Sequence, residues 1–114
     1  MKITFANEVE NIRDGSYTAI LRDAFEFAPE NLCMKFAICG DPESTVFVKF
    51  ISAKELGGHR WRSVFKALDT NDSDVLIGHT FEFSVKNEKV KRRGGGEHIT
   101  FCNIKSVSLV LRNI

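Results

Sequence analysis

Apolar and polar positions alternate along most of this 114-residue chain, which is the period of half-buried strands. Ile3 and Phe5 open a short leading segment that turns polar up to Asp14-Gly15, where Gly15 marks a turn. Over residues 16–27, Tyr17, Ala19, Leu21, Phe25 and Phe27 share one parity and predict a long first strand. Residues 28–31 form a turn. Leu32, Met34, Phe36 and Ile38 then alternate through a second strand with a clear core face. Residues 40–44 turn again, and 45–51 make a third strand with Val46, Val48 and Phe50 facing inward. The period then changes. Trp61, Val64, Phe65 and Leu68 fall at i, i+3, i+4 and i+7, one stripe of a helix that starts near Lys54 or His59 and ends at Leu68. Residues 69–74 are a polar loop. Alternation returns with Phe81, Phe83 and Val85 in a fourth strand, residues 98–104 in a fifth, and Val107, Leu109 and Leu111 in a last one.

Three strands, a helix and a closing hairpin is the element order of the OB-fold, a five-stranded Greek-key barrel with one helix between its third and fourth strands. The expectation is therefore a mainly β chain forming one domain over 1–114, with 1–14 as its leading segment. Composition agrees: 43% hydrophobic and 27% charged residues with 2 Pro exclude a disordered tail or a fibrous repeat. No apolar run approaches the roughly 20 residues of a membrane helix, and Glu8 and Glu10 interrupt any signal-peptide core. A soluble, cytoplasmic protein without membrane contact is expected. Cys33, Cys39 and Cys102 form no CxxC pair and are expected to be reduced, half-buried strand residues.

Charge sharpens the picture. Residues 1–45 hold four Lys/Arg against eight Asp/Glu, a net of −4, and residues 46–114 hold twelve against seven, a net of +5. Such polarity suits a basic site for an anion. Its densest part is 86–93, where Lys86, Lys89, Lys91, Arg92 and Arg93 accompany one acid, Glu88, before Gly94-Gly95-Gly96. On an OB-fold this is the loop between the fourth and fifth strands, which frames the nucleic-acid groove. Mobile cations suit a phosphate backbone of variable path; the plainer alternative is a solvated hairpin tip. If Val46, Val48 and Phe50 point inward, Phe47 and Lys49 point outward, as do Cys33, Lys35 and Ala37. Phe47 between Lys35 and Lys49 is then a stacking platform, worth about 1–3 kcal/mol per base, or a ring covered by another part of the protein. Arg60, Arg62 and Lys66 read as a solvated helix face, and Trp61 as a core plug.

Catalytic patterns are weak. His59, His79 and His98 have no metal-binding spacing, and no phosphate-binding or nucleophile-elbow motif is present. Asp69, Asp72 and Asp74 resemble half of a calcium loop with its glycine and distal glutamate misplaced. No enzyme activity, metal or cofactor is expected. A metal-dependent nuclease using these aspartates is a distant alternative. A protein-interaction module without nucleic-acid affinity, such as an adaptor or inhibitor, is the nearer one.

Asp14-Gly15-Ser16-Tyr17, the 46–51 strand before the helix, Leu76-Ile77-Gly78-His79-Thr80-Phe81 and Asn103-Ile104-Lys105-Ser106-Val107 together resemble the small OB-fold single-stranded DNA-binding proteins of phages of Gram-positive bacteria, lactococcal phages among them. Order and spacing carry the resemblance, from about Gly15 onward. It implies sequence-independent binding of single-stranded DNA in phage replication and recombination, in the host cytoplasm. It also implies self-association, often as a homodimer, and in some members assistance to a strand-exchange recombinase. The acidic tail of bacterial counterparts has no equivalent at 109–114. RNA is open to the same chemistry, since stacking and phosphate contacts ignore the sugar.

Overall fold

The computed structural model describes residues 7–91, 94, 96 and 98–111. Six strands make one sheet: β1 (Glu8–Val9), β2 (Gly15–Ala28), β3 (Asn31–Ile38), β4 (Val46–Ser52), β5 (Thr80–Lys91) and β6 (His98–Leu109). Their order in the sheet is β1-β4-β3-β2-β5-β6, antiparallel throughout except for β1 beside β4. Helices α1 (Ala53–Leu56) and α2 (His59–Ala67) connect β4 to β5.

The mainly β class expected from alternation is what forms, but the count differs. Six strands replace five, because part of the leading segment pairs with β4, Glu8 opposite Val46 and Val9 opposite Phe47. The two runs expected at 98–104 and 107–111 are one strand, β6, with a register shift where Val85 and Ser84 face Ile104 and Ser106. Lys105 is the extra residue, and such an insertion bends the strand without ending it. The single expected helix is two. Ser52 accepts a hydrogen bond from the Glu55 amide at 3.1 Å and starts α1. Gly57-Gly58 then breaks it. A Cβ on Gly58 would lie 3.1 Å from the Glu55 carbonyl oxygen, so this close turn favours glycine.

The inner face of the sheet and the α2 stripe meet in one core. Leu21, Met34, Phe36, Phe47, Trp61, Val64, Leu76 and Phe81 are completely buried there. Phe36 stands at the centre, edge-on to Phe81 at 6.2 Å and tilted against Phe83 at 5.2 Å. Trp61 packs against Phe81 at 6.3 Å, as the core plug its position in the helix stripe predicts. Cys33 and Cys102 are buried and Cys39 is exposed, all three free.

The sheet rolls toward closure. β4 and β6 lie far apart in strand order, yet both line one groove. The leading segment bridges them: Cys102 donates its thiol to the Ile12 carbonyl at 3.6 Å, and the Asn87 side chain donates to the same oxygen at 2.8 Å. Asp14 fixes the far end. Its Oδ1 accepts the Asn87 backbone N–H and the Asn87 side-chain N–H, each at 2.8 Å. These two bonds, the backbone one first, hold the Asp14 carboxyl below its ordinary value of 3.8. A depressed folded pKa means the anchor is intact above that ordinary value and is lost as pH falls through the folded one. In an acid titration followed by NMR, the Asn87 amide resonance should therefore shift with a midpoint below the ordinary carboxyl value of 3.8.

Candidate nucleic-acid interface

Register places side chains of β2, β3 and β4 in rows across the outer face. Phe25, Cys33 and Phe50 form one row, and Asp23, Lys35 and Val48 the next; directly paired residues point to the same side. Cys33 and Val48 are buried in the middle of this face. Phe25 and Phe50, at the two ends of their row, are 42% and 46% exposed. Phe27, 51% exposed, stands edge-on to Phe50 with ring centroids 5.1 Å apart. Three accessible rings on one sheet face form a platform on which flat aromatic groups can stack.

A bulge aims Phe25 outward. Leu21 pairs with Phe36, but the next bridge is Asp23 with Lys35, so Arg22 is an extra residue. The insertion exchanges the two faces of the strand from that point on. Tyr17, Ala19 and Leu21 contribute to the core, whereas Phe25 turns out to solvent and Ala24 turns in. A second irregularity between Glu26 and Ala28 involves Phe27.

Lys35 rises beside the platform. Its Nζ lies 5.9 Å from the Phe25 ring centroid and donates to Glu8 Oε1 at 2.9 Å. The hydrogen bond to Glu8 is the main cause that holds the ammonium above its ordinary pKa. β1 thus lays a carboxylate against the cation beside Phe25. The pair is about a quarter exposed on both sides, and pairs of this kind contribute no more than about 1 kcal/mol.

A groove of about 340 Å³ continues from this face between β4 and β6. Lys49 and Phe50 line one wall and Ile99 and Phe101 the other, with Glu10 and Asn11 between them. Beyond it β5 and β6 run on as a hairpin arm, with 12 residues in each strand. Register gives the arm two faces. Lys86 and Glu88 share one with the exposed apolar side chains of Val90, Ile99 and Phe101, and Lys89 opposite Thr100 and Lys91 opposite His98 make the other a basic one. Glu88 is tied to Lys105 and accepts from Asn103 at 3.0 Å, which together hold its carboxyl below the usual range.

The sequence-predicted residues fare unequally. Lys35 faces outward as expected. Phe47 does not: it is 0% exposed, opposite Phe36, and stacks on Phe83 at 5.9 Å. A ring with no accessible surface cannot stack on a base, so the exposed ring of this strand is Phe50 instead. Lys49, opposite Met34, shares the inward row with Phe47 and reaches partial exposure at the groove wall. Lys86, Lys89 and Lys91 lie in β5 rather than in a loop, and all three are exposed. Arg92 and Arg93 lie outside the described residues. Sequence reading missed Phe25, Phe27, Phe50 and Phe101 as outward rings. One signal for Phe25 was available: keeping the parity of Tyr17, Ala19 and Leu21 would have sent Asp23 into the core.

The aspartate loop has a local role. Asp72 Oδ1 accepts from the Asp74 amide at 3.0 Å and caps a 3₁₀ turn at Ser73–Leu76. Among the described residues no cluster of three His, Cys, Asp or Glu side chains could hold a metal ion. No helix among them is long and apolar enough to cross a membrane. In comparisons with known proteins, no family model, no curated protein and no solved structure matches the chain.

Proposed function

We propose that this protein binds single-stranded DNA without sequence preference, on the outer face of β2, β3 and β4 and along the β5–β6 arm. The observation that carries the reading is the set of three accessible phenylalanines on one sheet face, with Lys35 beside the ring of Phe25. The connectivity β2-β3-β4, helices, β5-β6 supports an OB-fold, whose outer middle-strand face and hairpin loops take single strands. Phe25, Phe27 and Phe50 supply stacking, and Lys35, Lys49, Lys86, Lys89 and Lys91 supply phosphate contacts. Arg92 and Arg93, next in the basic run, add to them. The role is strand protection in phage replication and recombination, with no catalysis and no cofactor. The working form is a homodimer in the host cytoplasm, serving a strand-exchange recombinase.

The deciding experiment is fluorescence anisotropy of labelled oligo-dT, of roughly 35 nucleotides to exceed the ~4–16 that one OB-fold covers. It is run at several salt concentrations with duplex as competitor. Salt-sensitive binding that duplex competes for weakly is expected. Absence of binding at low salt overturns the reading and leaves the exposed rings as a protein contact surface.

Two charge variants extend that experiment. Reversing Lys86, Lys89 and Lys91 to Glu should weaken all sequences alike. It should also flatten the dependence of log K on log salt by about 0.7 for each phosphate no longer neutralised. Glu8→Gln should act in the opposite sense. It releases Lys35 from its 2.9 Å partner and frees it for a phosphate. Binding should tighten a few-fold at low salt and the salt slope steepen by about 0.7. An unchanged slope in Glu8→Gln would mean that Lys35 touches no phosphate.

A further inference from the structure

We propose that the trough between α1, α2 and the 69–73 loop docks a partner protein. Its occupant is a short acidic segment that inserts a bulky apolar side chain. The trough holds about 870 Å³, within the ~300–1,000 Å³ over which proteins build ligand sites. It is open rather than enclosed, so it suits a length of chain lying across it more than a small molecule needing burial on all sides.

Its lining separates into an apolar floor and a cationic rim. Leu32, Leu56 and Phe65 make the floor, and Arg62 and Lys66 stand on the rim with Asp69. Arg62 and Lys66 are four residues apart on α2 and so share one helix face. Both are exposed. Neither makes an ion pair among the described residues, whereas Arg60 on the same helix is neutralised by Glu55 at 3.3 Å. Across residues 53–73, the elements that build the trough, Lys54, Arg60, Arg62 and Lys66 stand against three acids, Glu55, Asp69 and Asp72. In the lining itself Arg62 and Lys66 outnumber Asp69, which leaves a net positive charge where the apolar floor opens to solvent. Charge complementarity selects an acidic partner, and the floor selects one with an apolar anchor.

None of the trough residues belongs to the aromatic face or to the β5–β6 arm. The inference therefore stands apart from the proposed DNA binding.

The test is an NMR titration of the ¹⁵N-labelled protein with a synthetic peptide of about a dozen residues, in the length range of groove-bound recognition segments. The peptide carries one Leu and one Phe among Asp and Glu. A control peptide replaces every acid by Lys. The acidic peptide should move amides within 54–57 and 62–71, and the control should not. Arg62→Glu with Lys66→Glu should weaken the acidic peptide by about tenfold or more. Both side chains are exposed, so the double variant should melt like the parent, and Arg62→Gln with Lys66→Gln should fall between them. Excess oligo-dT should leave the peptide-induced shifts in place; the same titration without peptide tests DNA binding by itself. The proposal is overturned by absence of shifts at millimolar peptide or by equal binding of the control. Insensitivity to charge reversal, or oligo-dT displacing the peptide from these amides, would equally overturn it.

Discussion

Phe47→Ala should remove a large part of the molecule's stability and leave the DNA affinity of the folded fraction almost unchanged. The ring is completely buried. It stacks between Phe36 at 6.4 Å and Phe83 at 5.9 Å, in the layer where β4 closes on β3 and β5. Truncating such a residue removes its transfer energy and leaves a cavity, together about 3–5 kcal/mol. Typical domains hold only about 5–15 kcal/mol in total. The melting temperature should fall on the order of 10–20 °C, readable by circular dichroism. Affinity for oligo-dT, measured well below the new midpoint, should stay within about twofold, far less than the roughly 1–3 kcal/mol that each stacked base contributes. A specific loss of affinity at full folding would return Phe47 to the binding face and contradict the register of β3 with β4.

The misplacement of Phe47 has a physical origin in the composition of β4. Val46, Phe47, Val48, Phe50 and Ile51 are apolar on both parities, with Lys49 alone polar among them. The strand lies next to the sheet edge with only the two-residue β1 beyond it, yet it is covered on both faces, so Val48 is buried on one side and Phe47 and Ile51 on the other. Alternation then carries no sign, and only pairing with β3 supplies it. β3 was readable because its outward positions include Lys35 and its inward ones Met34 and Phe36. The helix stripe was readable too, since Trp61 and Val64 must face the core together. The arm was not. Lys89 to Lys91 extend past the core, where both faces meet solvent, and the strand is held there by its ladder to β6 rather than by burial. A basic run of that kind looks like a loop to any hydrophobicity pattern. The long parity of β2 fails at a bulge for a related reason: one extra residue reverses the faces, and only the stranded charge of Asp23 betrays it.

That reversal is what gives the second large effect its place. Phe25→Ala and Phe50→Ala should each weaken oligo-dT binding by about 1–3 kcal/mol while lowering stability by only about 1 kcal/mol, since each ring is nearly half exposed. They stand on β2 and β4 with Cys33 of β3 between them. Two strand spacings separate them by about 9–10 Å, far enough for their effects to add. The double variant should therefore lose about 2–6 kcal/mol, which is roughly 30-fold in affinity at the low end. Stacking is also distinguishable from simple loss of surface. Phe50→Trp should keep the affinity, and its indole fluorescence should be quenched as oligo-dT is added, while Phe50→Leu should lose most of the binding despite similar bulk. Salt provides the counter-check, because rings neutralise no phosphate and the slope of log K should stay unchanged in all the Phe variants. If Phe25→Ala, Phe50→Ala binds as the parent does, the aromatic platform does not hold the strand. The same rings would then be available to a protein surface, and binding, if any persists, would rest on the arm's lysines alone.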